Sequence, residues 1–176
     1  MIVGTAPGDE GQPVAPAKIS GRRRAAGIYG AIVTAAIIAA TGGKLPTIAL
    51  TAAVIVTLLV YWAAEEYAEV LGEQTEGGRL PTWASIRKML AVTWPMVSAS
   101  YLPLLALLVA RAAGASALTA ANVGLGVAVV VLTIHGWSAA RAAQLRGRQL
   151  LFSTSVAALL GIMMIVLKDL VLVHLH

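Results

Sequence analysis

The chain has 176 residues, 59% of them apolar and only 12% charged, with a formal net charge of +5 and no cysteine. A water-soluble domain of this size is nearer half apolar and about a quarter charged, so the composition argues against one and makes lipid the expected solvent. The missing cysteines exclude disulfides, thiolate metal sites and cysteine nucleophiles, while basic residues set between apolar runs, without interleaved aromatics, argue against nucleic acid.

Residues 1–24 are expected to be a disordered basic cytoplasmic tail. Pro7, Pro13, Pro16 and four glycines interrupt any periodicity, and too little apolar surface is present to order the segment. The tail ends in Arg22, Arg23 and Arg24, directly before the first apolar run. Arginines followed by apolar residues also describe a secretory signal. Ala25-Ala26-Gly27-Ile28 lacks the expected twin-arginine sequel, however, and Ala39-Ala40-Thr41 is a poor cleavage site. An uncleaved helix is therefore expected.

The apolar runs place five transmembrane helices at about 25–42, 46–66, 90–110, 117–140 and 150–170 within a single domain, 25–176. In the first, Gly27, Ala31, Ala35 and Ala39 recur every four residues, a face suited to close approach of another backbone. Gly42-Gly43-Lys44-Leu45-Pro46 reads as a tight turn, glycines ending one helix and proline opening the next. Helical patterning of the second run continues past Glu65 through Tyr67 and Leu71, and Glu73–Pro81 reads as a polar loop. Trp83–Met89 is amphipathic and leads into the third span, where Pro95 and Pro103 each remove a backbone donor and predict kinks. Arg141, Arg146 and Arg148 form a basic loop before the last span.

Orientation follows from charge. With the N-terminus inside, Lys18, Arg22, Arg23, Arg24, Arg79, Arg87, Lys88, Arg141, Arg146 and Arg148 are cytoplasmic, and only Lys44, Arg111 and Lys168 are external. Ten against three is the bias expected of cytoplasmic loops. The reading is an all-α integral membrane protein, N-in and C-out. Its bias toward Ala, Val, Leu and Arg, with one Phe, points to a bacterial plasma (inner) membrane.

Few residues in the spans offer chemistry. Trp62, Glu65, Glu66, Glu69 and Glu73 share one broad helical face. Adjacent carboxylates repel, so they must be hydrated, bind a cation, find arginines or hold a proton. At about 1.5 Å per residue, Glu65 lies about 28 Å from Pro46, near the inner edge of the hydrocarbon layer. His135 sits at a similar depth in the fourth span, and intramembrane ionisable residues tend to pair, which makes a Glu65 or Glu66 contact with His135 the sharpest expectation. The plainer alternatives are a solvated acidic helix end and an interfacial histidine beside Trp137. Tyr101, between the two prolines with Ser98 and Ser100, could line a cavity. The serines could equally serve backbone carbonyls freed by the prolines. Asn122 belongs to a polar strip with Thr119 that fits interhelical hydrogen bonding.

No phosphate-binding loop, His-Glu-x-x-His or Gly-x-Ser-x-Gly motif occurs, and no acid, base and nucleophile set is visible. Neither an enzyme nor a cofactor is expected, and no metal is specified. The best-supported expectation is a transporter, channel or permease subunit for an ion or small solute. It would use Glu65, Glu66, His135, Tyr101 and Asn122, and would work as a homo-oligomer or within a membrane complex. The alternative is a non-catalytic accessory or scaffold protein that binds a partner through its acidic helix end and basic loops.

Overall fold

The computed structural model describes residues 16–77 and 82–174, and among them every regular element is helical. The helices are α1 (Pro16–Thr41), α2 (Thr47–Gly77), α3 (Trp83–Thr93), α4 (Pro95–Ser98), α5 (Tyr101–Ala112), α6 (Ala117–Ala142) and α7 (Arg148–His174). Four segments are long and apolar enough to cross a membrane: Ile19–Thr41, Thr47–Gly72, Trp83–Ala112 and Ala117–Ala142. The apolar stretch of α7 counted the same way is shorter, Arg148–Met163.

Two boundaries differ from the sequence reading. α1 begins at Pro16, so the arginine triplet expected in the tail is helical. Proline suits a first helical position, where its missing N–H has no partner to lose. Residues 1–15 of the expected tail lie outside the described residues. α2 runs to Gly77, which places the first part of the expected polar loop in helix.

The third span is interrupted by two short turns, with Trp94, Ala99 and Ser100 still in the right-handed helical region. Pro95 begins α4, and the chain turns again at Ala99 and Ser100 before α5. Val97 and Ser98 both donate to the Trp94 carbonyl, and Ser100 N–H donates to Val97 in a tighter turn. The buried Ser100 hydroxyl donates to the same Val97 carbonyl at 2.8 Å, so this serine serves backbone rather than a cavity. Pro103 falls in the first turn of α5, where helical N–H groups lack intrahelical acceptors anyway.

α6 is the central helix, packed against α1, α5 and α7. Its buried positions Ala120, Gly124, Ala128, Leu132, Gly136 and Ala140 recur every four residues. α1 answers with buried Ala31 and Ala35, and with Ala26 and Ile38. Bulky side chains face outward instead: Ile48 and Val60 on α2, Leu102 and Val109 on α5, Phe152 and Leu159 on α7 are all exposed. Small residues thus line much of the α1–α6 contact, and many large apolar residues lie on the outer surface.

The turn between α1 and α2 forms as expected. Gly43 takes a positive φ of 81°, and Lys44 and Leu45 donate to the Thr41 carbonyl. The tightest approach lies elsewhere, where α4 crosses α1. A Cβ added at Gly30 would sit 1.9 Å from the Met96 carbonyl oxygen, a contact with backbone that cannot move aside cheaply. Gly30→Ala should therefore lower unfolding stability by about 1–3 kcal/mol. Gly126→Ala, whose new Cβ meets nothing within 4 Å, should change it by no more than about 0.5 kcal/mol. Equal melting temperatures for the two variants would disprove the backbone contact.

Candidate functional site

The acidic end of α2 divides into two environments. Neighbouring residues on a helix point about 100° apart, and Glu65 and Glu66 are separated by that rotation.

Glu66 faces the end of α3 and is only 6% exposed. The Thr93 hydroxyl donates to its Oε1. Thr93, itself fully buried, accepts from the Trp62 indole N–H at 3.1 Å. The Trp62 ring packs edge-on against Trp94, with centroids 5.2 Å apart. Thr93, the last residue of α3, and Trp94 after it thus both lie against α2. The second carboxylate oxygen, Oε2, is buried without a hydrogen-bond partner among the described residues. The Met89 carbonyl lies 3.2 Å from the Thr93 hydroxyl, and one hydroxyl proton serves one strong acceptor at a time. Two patterns are thus available at this oxygen, and neither serves Oε2. An ionised Glu66 accepts from Thr93. A protonated Glu66 donates to Thr93 Oγ1 while that hydroxyl turns to Met89.

Glu65 faces α1. It lines a cavity of about 380 Å³ with Arg22, Ala25, Ala26, Tyr29, Tyr61, Ala64 and Met96. Tyr29 and Tyr61 meet edge-on across it, centroids 6.1 Å apart. Arg22 Nη1 donates to Glu69 Oε1 at 2.6 Å, both side chains being partly exposed, while its Nη2 is buried with no acceptor among the described residues. Among the described residues no hydrogen bond or ion pair reaches Glu65.

His135 does not join either group. A carbonyl can only accept, so its Nδ1 carries the proton donated to Val131 at 2.8 Å. Its ring edge lies on Gly27, where an added Cβ would meet Cδ2 at 2.6 Å. α6 packs against α1, and no ion pair links His135 to Glu65 or Glu66 among the described residues. The equal depth that the sequence implies is not equal position around the bundle. Tyr101 is half exposed, Asn122 is exposed, and neither lines the cavity. No group of three or more potential metal ligands occurs among the described residues.

Two participants escape the sequence reading. Thr93 reads as an ordinary span residue, although a hydroxyl two residues before a mid-span proline is a signal in itself. Arg22 reads as a topology charge. Arg22, Ala26 and Tyr29 share a face once the helix is known to extend through Arg22, and that face is turned toward α2. Comparison with protein-family models, with known proteins and with solved structures finds no match.

Thr93→Val keeps the shape but removes the hydroxyl, leaving the Glu66 carboxylate and the Trp62 N–H unsatisfied. It should cost about 1–3 kcal/mol, whereas Thr93→Ser should be nearly silent. In the Glu66→Leu background the same Thr93→Val change should cost much less, a coupling readable in a double-mutant cycle. Additive costs would show that the hydroxyl and the carboxylate act independently.

Proposed function

We propose that this chain is a five-span membrane protein, N-in and C-out, in a bacterial inner membrane, and that it acts as a transporter or channel subunit for an ion or small solute. Glu66 is its proton-binding group, and the chain works as a homo-oligomer or within a membrane complex. Membrane integration is supported by four long apolar helices and by bulky apolar side chains facing outward. Orientation is supported by the ten-to-three distribution of basic residues, with α7 as the fifth span.

The observation that carries the functional reading is the Glu66 carboxylate, buried with one oxygen unpartnered and no cation paired to it among the described residues. A buried carboxylate oxygen without a hydrogen-bond partner is costly, and Oε2 is the atom that a transported proton or cation would meet. Thr93 has acceptors for its hydroxyl in both protonation states, so exchange of a proton asks for a hydroxyl rotation rather than a backbone rearrangement. Ionisable residues inside membrane spans commonly mark such pathways.

An alkaline phosphatase fused after His176 should be active, and the chain should resist carbonate extraction. An inactive fusion would remove a span or invert the protein. In proteoliposomes carrying a pH-sensitive dye, the native chain should give a proton flux that Glu66→Gln abolishes and His135→Ala leaves intact. Flux absent from the native chain, with Glu66→Gln silent in cells, would favour the accessory or scaffold role instead.

A further inference from the structure

The cavity between α1 and α2 has a chemistry that proton binding at Glu66 does not use. Its walls are mostly apolar, Ala25, Ala26, Ala64 and Met96, and two charges of opposite sign line it, Arg22 and Glu65. The arginine is only half engaged: Nη1 is bonded to Glu69, and Nη2 has no acceptor among the described residues. Glu65 has no bonded cation among the described residues. Tyr29 and Tyr61 are exposed on the outer surface of the same two helices, so apolar surface leads from the cavity onto the face of the bundle. Arg22 belongs to the arginine triplet that marks the cytoplasmic headgroup level.

We propose that this cavity holds the headgroup of a phospholipid that carries a primary amine. The phosphate oxygen supplies the acceptor missing from Arg22, with the guanidinium turning on its bond to Glu69. The ammonium donates to the Glu65 carboxylate, and the acyl chains leave along Tyr29 and Tyr61. Guanidinium and phosphate are matched in shape and charge. A headgroup with no ammonium leaves Glu65 facing an anion, and a quaternary ammonium has no N–H to donate. The cavity therefore selects ethanolamine over glycerol and choline headgroups. The inference rests on the membrane reading but not on the role given to Glu66, and carbonate extraction tests that reading separately.

The test uses delipidated full-length protein in detergent, titrated with phosphatidylethanolamine, phosphatidylglycerol or phosphatidylcholine and read by native mass spectrometry. The native chain should bind phosphatidylethanolamine at least about tenfold more tightly than the other two, the scale of one charge-assisted hydrogen bond. Glu65→Gln should erase that preference, and Arg22→Ala should weaken all three lipids. Because Arg22→Ala also removes the pair with Glu69, Ala64→Phe provides an independent variant: it fills the cavity, leaves that pair in place, and should likewise erase the preference. Equal affinities in the native chain, or a preference that survives both Glu65→Gln and Ala64→Phe, would overturn the proposal. Soluble phosphoethanolamine that competes at the same concentration as the lipid would also overturn it, in favour of a soluble zwitterion.

Discussion

The arrangement depends on how closely α4 approaches α1. Gly30 admits the Met96 carbonyl to a position that any side chain would block, and a four-residue helix between two turns thereby packs on α1. The consequences reach both environments of α2. Met96 is held as a wall of the Arg22–Glu65 cavity. Thr93 and Trp94, just ahead of Pro95, are set against Trp62 and Glu66. The Gly30 contact supplies close backbone packing, and Thr93 supplies a buried polar contact.

Pro95 cannot donate to the Ala91 carbonyl one turn back, and beyond it the chain closes tighter turns on the Trp94 and Val97 carbonyls, the Ser100 hydroxyl adding a second donor to Val97. Thr93 bonds Trp62 and Glu66 on α2, while the Met96 carbonyl in the next turn meets Gly30 on α1.

Electrostatics then separates the acidic residues into different tasks. The Arg22–Glu69 pair is partly exposed, and such a pair contributes little to stability, about 0–1 kcal/mol. Its larger effect is to hold the guanidinium beside the cavity. Glu66 is the opposite case. It has no cationic neighbour bonded to it, and its burial is tolerated through Thr93, whose hydroxyl is in turn held by Trp62. His135 bonds the Val131 carbonyl through Nδ1 and packs its ring on Gly27.

Much of the fold was legible in the sequence because its causes are local. Apolar run length, the glycine turn at Gly42 and Gly43, the mid-span prolines and the distribution of arginines each act through chain neighbours or through the solvent, and they determine the helices and their expected orientation. The small-residue face at Gly27, Ala31 and Ala35 was also readable, although what it packs against was not. Tertiary structure alone decided which partner each polar residue meets. Glu65 and Glu66 are adjacent in the chain, yet a rotation of about 100° sends one to Arg22 across α1 and the other to Thr93 on α3. Glu66 and His135 have similar expected depth, but depth fixes only one coordinate. The other, rotation around the bundle, is set by which small residues let two backbones meet, and at Gly30 that choice was made by a carbonyl in a different helix.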